Sequence, residues 1–175
     1  MNEISRKRIS SGFLKLDEIT YESNGKTIKR ECINRGDAVA ALLYNTSTEK
    51  YIFVKQFRPG VGAELIEIIA GTMDVEGETP EETIEREILE ETGYVMTECS
   101  LICSSYSSPG SLTEKMHIFQ AITDGKKAGD GNGVGDEEIE IIEYSKSELV
   151  QNLGMLSQDL KTFISLFYEM EVKRI

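Results

Sequence analysis

Apolar and polar residues alternate along the first third of the chain, a pattern that predicts β-strands. Phe13–Glu22 and Thr27–Ile33 both alternate in this way, and Asn24-Gly25 lies between them. Because Asn-Gly readily adopts the positive φ angles of a tight turn, these two strands are predicted to form a hairpin. Two short, strongly apolar strands follow at Ala38–Tyr44 and Tyr51–Phe57.

An acidic helix has the clearest limits in the sequence. Thr79 can cap its first turn, and Glu82 lies three residues later, which completes a capping box. Pro80 occupies the first helical position and Gly93 lies just past the end. A strand at Glu64–Ala70 leads into this region.

The remainder of the chain alternates between predicted strands and closing helices. Strands are expected at Leu101–Tyr106, Met116–Thr123 and Ile139–Tyr144, and helices at Ser147–Leu153 and from Gln158 to about Val172. In the last helix, apolar residues at helical spacing are predicted to face the core, and they are Leu160, Phe163, Ile164, Phe167 and Met170. This order of elements predicts an α/β fold with a mixed sheet.

Composition narrows the range of partners. A chain of 175 residues is long enough for one domain with a proper core, with room for a small N-terminal appendage. The net charge of -12 would repel a nucleic-acid backbone, so nucleic acid is not an expected partner. A phosphorylated substrate stays compatible with this charge, because a divalent cation held by carboxylates reverses the local sign.

The three cysteines and the N-terminus predict a soluble cytoplasmic protein. Cys32, Cys99 and Cys103 are odd in number and lack the spacing of a zinc site, so they are interpreted as reduced thiols. The first residues, MNEISRKRISSGF, do not have the apolar centre of a signal peptide, and no apolar run has membrane-spanning length. A membrane is therefore not expected as a partner.

The acidic helix raises a question of charge. Residues 77–94 contain seven carboxylates and one arginine, which ordinarily indicates a solvated face. At 100° per residue, however, Glu87 and Glu91 lie one above the other beside the apolar stripe of Ile84 and Ile88. Arg86 is predicted to point away from them, towards Glu82 and Glu90. A divalent cation would relieve the repulsion, but helix geometry alone favours the metal site and the solvated face equally.

The segment EIIAGTMDVEGETPEETIEREILEETGY closely resembles the signature of the Nudix hydrolases, in which a glycine and a glutamate precede Arg-Glu-x-x-Glu-Glu-x-Gly. The matching residues are Gly71, Glu78, Arg86, Glu87, Glu90, Glu91 and Gly93. This chain has one residue more than is usual between the first glycine and glutamate. The extra residue falls in the loop before the helix, so it affects the loop and leaves the carboxylates in place.

The resemblance implies the Nudix fold, an α/β/α sandwich with a mixed sheet, here with an N-terminal β-hairpin extension. It also implies Mg²⁺, or Mn²⁺, bound by the side chains of Glu87 and Glu91 and by the backbone carbonyl of Ala70. Glu90 is the third candidate, for a second metal ion or a bridging water. Arg86 is expected to orient the glutamates through a charge-assisted hydrogen bond.

Four further segments, KRECINRG, LLYNTSTEKYIFVKQFRPG, SPGSLTEKMHIF and GVGDEEIEIIE, resemble the nucleoside-diphosphate-sugar pyrophosphatases, above all their GDP-mannose branch. That branch hydrolyses a GDP-sugar to a nucleoside monophosphate and a sugar 1-phosphate. The near relatives cleave ADP-ribose, and two other classes stay open: a Nudix module that senses a nucleotide without cleaving it, and an acidic interaction module without a ligand.

The resemblance also assigns substrate contacts by position. Arg58 matches a substrate arginine and suits bidentate phosphate recognition, although it could be an ordinary surface residue at a strand end. Lys29–Glu31 would alone be taken as an exposed hairpin, and Phe13 could equally belong to the core. The complete set is Phe13, Lys29, Arg30, Glu31, Arg58, Gly71, Thr72, Glu114, Asp136 and Lys161.

A glycine-rich loop, DGKKAGDGNGVGDEE, matches a loop that closes over the metals in related enzymes. Glu137 matches a metal-binding position there and is the expected general base, with Asp136 beside it. Gly135 stands where ADP-ribose-cleaving relatives often have a glutamate. The branch further implies a homodimer, with residues 1–36 as a dimer-forming N-terminal region and residues 37–175 as the Nudix domain.

Overall fold

Two β-sheets form the framework of the computed structural model, which describes residues 1–131, 133 and 138–173. The first sheet has three antiparallel strands, β1 (Asn2–Ser11), β2 (Lys15–Ser23) and β3 (Lys26–Asn34). The predicted hairpin of β2 and β3 is confirmed, with φ angles of 52° at Asn24 and 72° at Gly25. The sequence did not predict β1, because its run of Ser, Arg and Lys has no regular apolar alternation.

The second sheet is mixed and has seven strands. The central path is β10-β5-β4-β9-β8, in which β4 runs parallel to β9 and the other pairs are antiparallel. The strands are β4 (Ala38–Asn45), β5 (Lys50–Arg58), β6 (Ala63–Glu67), β7 (Ile69–Thr72), β8 (Glu98–Tyr106), β9 (Lys115–Thr123) and β10 (Glu140–Ser145).

The strand predicted at Glu64–Ala70 is in fact two strands. β6 pairs with β5 and β7 pairs with β4, so the chain changes neighbours at Ile68. The backbone N–H of Ile68 donates to Thr162 Oγ1 at 2.9 Å, which satisfies this buried group at the break. The switch places Ala70 and Gly71 on a short strand beside β4.

Helices cover both faces of the mixed sheet. α1 (Pro80–Thr92) lies on one face, whereas α2 (Lys146–Leu156) and α3 (Leu160–Phe167) lie on the other; a short π-helix, Tyr168–Val172, follows α3. Successive residues of β4 serve the two cores alternately, because side chains alternate across a strand. Val39, Ala41 and Leu43 pack with α1, and Ala40 and Leu42 pack with α2 and α3. The predicted α/β/α sandwich is confirmed.

The predicted core-facing stripe of the last helix is wrong at three of its five residues, whereas Ile164 packs against the core shared with α2, and Met170 is half-buried. Leu160 is 61% exposed, Phe163 44% and Phe167 54%, whereas Thr162, Ser165 and Leu166 are buried. The bond from Ile68 to Thr162 and the packing of Leu166 fix this rotation of the helix. The small side chains of Thr162 and Ser165 permit close packing that apolar periodicity does not reveal. Within the described residues, no helix combines the length and the apolar character needed to cross a membrane.

Candidate functional site

The two ends of α1 are fixed by local hydrogen bonds, as the sequence predicts. Thr79 Oγ1 accepts from the backbone N–H of Glu82 at 3.2 Å, and the backbone N–H of Thr79 donates to Glu82 Oε2 at 2.8 Å. At the other end, Gly93 adopts φ 74° and its N–H donates to Leu89 O at 2.9 Å. These caps set the register of the helix, and therefore the places of its glutamates on the flank that meets β7.

The carboxylate of Glu87 lies directly against Gly71 of β7. A Cβ at residue 71 would overlap the Glu87 carboxyl carbon and both carboxylate oxygens, so only glycine permits this approach. Burial raises the pKa of Glu87, an effect that the neighbouring Arg86 opposes. Glu91, one turn further along α1, is only 4% exposed.

Arg86 contacts Glu87, and the prediction that it points away is wrong. Arg86 Nη1 donates to Glu87 Oε1 at 2.9 Å and to Glu90 Oε2 at 3.1 Å, and Nη2 donates to Glu78 Oε2 at 3.3 Å. The guanidinium is long enough to reach back to the adjacent flank, which a Cβ-based helical projection ignores. The negative charge of Glu87 is therefore partly offset within the protein. The orienting role implied for Arg86 stays a prediction.

The donors fit a hard divalent cation. Glu87 and Glu91 could provide carboxylate oxygens, and Ala70, which precedes Gly71 on β7, could provide a backbone carbonyl. Such oxygens are what Mg²⁺ prefers, with water and substrate phosphates completing its shell. Within residues 1–131, 133 and 138–173, no group of three His, Cys, Asp or Glu side chains could hold a metal ion alone. The predicted residues Asp136 and Glu137 lie outside the described residues.

Two of the predicted substrate cations meet at one buried carboxylate. Arg58 Nε and Nη2 donate to the two oxygens of Glu67 at 2.8 and 2.6 Å, and Lys161 Nζ donates to Glu67 Oε2 at 2.5 Å. The Glu67 side chain is 2% exposed. The nearby charge of Glu91 contributes to raising the pKa of Arg58, after the larger effect of Glu67 itself. Arg58 and Lys161 are therefore held together at Glu67, and the charge of Glu91 acts on Arg58.

Sequence reasoning missed Glu67. The sequence did contain a signal for it, since Glu67 is an acidic residue between the apolar Ile66 and Ile68 in a predicted strand. Such a residue is rarely buried unless it is paired. The partners, Arg58 and Lys161, are far apart in sequence, so the pattern did not identify them as a group.

Glu114 lies in a second polar cluster. It is 7% exposed, accepts from Ser107 Oγ at 2.7 Å and pairs with Arg35 Nε at 3.1 Å. The backbone N–H of Ile33, near the end of β3, donates to Ser111 O at 2.8 Å. The loop that precedes Glu114 is thus attached to the N-terminal sheet.

The predicted substrate contacts of the N-terminal sheet interact within that sheet or are exposed. Lys29 pairs with Glu18 at 2.8 Å, Arg30 donates to the Lys29 carbonyl at 2.8 Å, and Glu31 is exposed. Phe13 is 95% exposed, which excludes its interpretation as a core residue. Thr72 is half-buried at the end of β7, next to Gly71.

Known proteins show which family this chain resembles. The NUDIX domain family matches residues 34–167. The chain is 38% identical over 179 residues to the GDP-mannose pyrophosphatase of Salmonella arizonae, covering 94% of this chain and 92% of the relative. It is 35% identical over 176 residues to the GDP-mannose pyrophosphatase of Cronobacter sakazakii, covering 93% and 91%.

A solved structure supports the fold. The crystal structure of an ADP compounds hydrolase superimposes with a TM-score of 0.75, covers 99% of this chain and 95% of its own, and shares 15% sequence identity. Nudix hydrolases generally use divalent metal ions. The family match, the identity to these relatives and the site on α1 lead to one conclusion: this chain belongs to the Nudix hydrolase family.

Proposed function

We propose that this protein hydrolyses the diphosphate bond of a nucleoside diphosphate sugar, and that its substrate is GDP-mannose, which gives GMP and mannose 1-phosphate. The approach of the Glu87 carboxylate to Gly71, on the helix that also carries the buried Glu91, carries the proposal, since it brings a carboxylate against the strand that contains Ala70. The choice of substrate is supported by the GDP-mannose pyrophosphatases to which the chain is 35% and 38% identical.

Glu87, Glu91 and the Ala70 carbonyl would hold Mg²⁺, for which Mn²⁺ is the expected substitute. When bound, the cation polarises phosphoryl oxygens and lowers the pKa of a coordinated water. Arg86 keeps the Glu87 carboxylate in place through its 2.9 Å hydrogen bond. Glu90, which shares Arg86, is the candidate for a second metal ion or a bridging water.

Other groups of the chain bind the substrate and move the proton. Arg58 and Lys161 are the proposed partners of the diphosphate, because a guanidinium and an ammonium both complement phosphate oxygens. Water attacks one phosphorus, and the bond to the bridging oxygen breaks. Glu137 is the proposed acceptor of the water proton, with Asp136 beside it. Thr72 and Glu114 are proposed contacts to the nucleotide sugar.

The proposal is tested by product analysis over GDP-mannose, ADP-ribose, UDP-glucose and NADH, each with Mg²⁺. GMP and mannose 1-phosphate are the expected products, at the highest kcat/KM of the panel. Preferential cleavage of ADP-ribose would replace GDP-mannose as the substrate. Tight binding without turnover of any compound would make the protein a sensor and would refute hydrolysis.

The metal assignment has its own matched test. Glu91→Gln removes a charge from the buried flank of α1, whereas Glu85→Gln removes one from an exposed position of the same helix. Activity should fall about 10- to 100-fold or more in the first variant and stay near wild type in the second. Mg²⁺ should raise the melting temperature of wild type and Glu85→Gln, but not of Glu91→Gln. Equal stabilisation of all three would overturn the assignment.

We also propose a homodimer in which residues 1–36 contact the partner. All residues of β1 are exposed in the single chain. Residues 1–36 have eight Lys and Arg against five Asp and Glu, a net charge of +3, whereas residues 37–175 have 11 against 26, a net charge of -15. This complementarity favours association between the two regions of different copies. Phe13, Lys29, Arg30 and Glu31 would then act at the site of the partner.

Light scattering gives the mass in solution and tests this assembly. A mass of twice 19.6 kDa is expected. A monomer at the concentrations used in the assay would overturn the dimer.

Free thiols at Cys32, Cys99 and Cys103 support the proposed cytoplasmic location.

A further inference from the structure

Glu67 is the carboxylate that joins three elements of the fold. It ends β6, one residue before the break at Ile68, and binds Arg58 from β5 and Lys161 from α3. Burial raises its pKa, but the two cations outweigh burial and hold the pKa below the usual value. Glu67 is thus an anion fixed among cations that come from two different parts of the chain.

The two hydrogen bonds to Glu67 fix the orientation of the Arg58 guanidinium. A guanidinium has five N–H donors. Glu67 takes one from Nε and one from Nη2, so three remain, two of them on Nη1. Because the bond is bidentate, the plane of the guanidinium cannot rotate without loss of both hydrogen bonds. The Arg58 side chain is 35% exposed, so it is not closed off from solvent.

Lys161 is held by the same carboxylate and by the start of α3. Its ammonium donates to Glu67 at 2.5 Å and to Asp159 at 2.9 Å, which leaves one of its three protons. Asp159 also caps α3 by accepting from the backbone N–H of Thr162 at 3.0 Å. Thr162 in turn accepts from the N–H of Ile68. The position of Lys161 is therefore tied to the break between β6 and β7.

A purely structural ion pair would explain burial, but not this arrangement. A buried pair contributes little net stability compared with apolar residues of similar volume. Here one carboxylate fixes two cations, and both keep N–H donors that Glu67 and Asp159 do not take. The geometry thus joins a strand cation and a helix cation at one carboxylate, with Arg58 Nε and Nη2 and Lys161 Nζ all bound to Glu67.

We infer that Glu67 is a positioning residue that aligns Arg58 and Lys161 as one preformed receptor for the diphosphate of the substrate. Glu67 does not touch the substrate. It holds the two cations in the geometry that binds the substrate. The entropic cost of ordering them is therefore not subtracted from the binding free energy of the substrate. This role rests on the proposed hydrolysis of a nucleoside diphosphate sugar.

The kinetic test compares Glu67→Gln, Glu67→Asp and Glu64→Gln with wild type. Glu64 lies on the same strand, pairs with Lys55 at 3.0 Å and has a side chain that is 60% exposed, so it is the matched control. Glu67→Gln should raise KM for GDP-mannose roughly tenfold or more, with a smaller change in kcat, because binding common to substrate and transition state is lost. Glu67→Asp should recover part of the affinity, and Glu64→Gln should leave both constants unchanged.

A folded Glu67→Gln variant with the KM of wild type would overturn the inference. So would equal changes in Glu67→Gln and Glu64→Gln. If Glu67→Gln does not fold, the kinetics of Glu67→Asp decide in the same way: an unchanged KM overturns the inference, and a raised KM supports it.

A second measurement separates this inference from the proposed function. The Nε–H signal of Arg58 in ¹⁵N NMR, assigned by its loss in Arg58→Lys, reports the Glu67 bond without any turnover. Wild type and Glu64→Gln should show a slowly exchanging signal that Glu67→Gln loses. An unchanged signal would refute the positioning role, even if the enzyme cleaves GDP-mannose. Absence of turnover in wild type would refute the proposed function, whereas the NMR result would still report whether Glu67 orders Arg58.

Discussion

The Glu87 carboxylate of α1 occupies the space that a Cβ at Gly71 of β7 would fill. Helix and strand therefore approach each other at the point where the signature begins. Gly71 does not have a positive φ angle, so glycine matters here for the space it leaves and not for its backbone conformation. Its conformation would suit any residue, but a side chain here would displace the Glu87 carboxylate from its present position.

Gly71→Ala should displace the Glu87 carboxylate and impair the metal site. We expect a loss of activity of about 10- to 100-fold and a weaker rise of the melting temperature with Mg²⁺. Gly36→Ala is the control, since a Cβ there would meet only Met73 O at 3.9 Å, an ordinary contact. Wild-type activity in Gly71→Ala would show that the approach of Glu87 is not needed.

Glu87→Gln should stabilise the metal-free protein at neutral pH. Burial raises the pKa of Glu87 in the folded state, so the folded protein binds the proton more tightly than the unfolded chain. The free energy of unfolding therefore decreases as pH rises from the ordinary glutamate range through the raised pKa, and the loss persists above it. Glu87→Gln removes this loss.

Thermal melts of wild type and Glu87→Gln with EDTA, at pH 4 and at pH 7, measure the difference. The melting temperature of Glu87→Gln should rise relative to that of wild type as pH rises, and that of the exposed control Glu85→Gln should not. The same linkage predicts that Mg²⁺ affinity of wild type falls on acidification, because protons and the cation compete for Glu87. A variant that is less stable than wild type at pH 7 would contradict the sign.

The parts of the site predicted from sequence are those fixed by local rules. Thr79, Pro80 and Gly93 define α1 because capping depends on residues within one turn. Spacing along α1 then placed Glu87 and Glu91 on one flank. The reach of Arg86 was missed, since the conformation of a long side chain depends on Glu78 as well as on helical position.

Relationships between distant segments were not available from spacing. Glu67 acquires its partners only when β5 and α3 come together, and β6 and β7 separate only because each has a different neighbour. The prediction of which face of α3 is buried was wrong for the same reason. Thr162 is buried where it accepts a hydrogen bond from the N–H of Ile68, and the neighbouring apolar Phe163 lies at the surface.

The loop after β9 packs against the C-terminal end of α1, and Gly131 should be sensitive to substitution there. The N–H of Ala128 donates to Gly93 O at 2.9 Å, and that of Gly133 donates to Glu90 O at 3.1 Å. A Cβ at Gly131 would lie 2.7 Å from the Thr92 carbonyl carbon, at φ 73°. Gly131→Ala should therefore cost about 1–3 kcal/mol from the backbone conformation, plus a term for crowding.

Gly25→Ala isolates the crowding term. Gly25 has φ 72°, and a Cβ there would meet nothing within 4 Å. Calorimetry should show a larger fall in melting temperature for Gly131→Ala than for Gly25→Ala, with about 2–4 °C for each kcal/mol in a chain of this size. Equal falls would mean that the loop yields to the added methyl group.

The rotation of α3 is tested by substitutions on its two faces. Leu166 is fully buried against the core of β4 and α2, so Leu166→Ala should lower the free energy of unfolding by about 2–5 kcal/mol. Phe163 is the larger side chain, and apolar periodicity alone would make it the more costly one to lose. Because 44% of its surface is exposed, Phe163→Ala should cost less than Leu166→Ala. Urea unfolding at a fixed, low protein concentration compares the two variants without a contribution from association. A greater loss in Phe163→Ala would place the apolar stripe against the sheet after all, and would release Thr162 from its bond to Ile68.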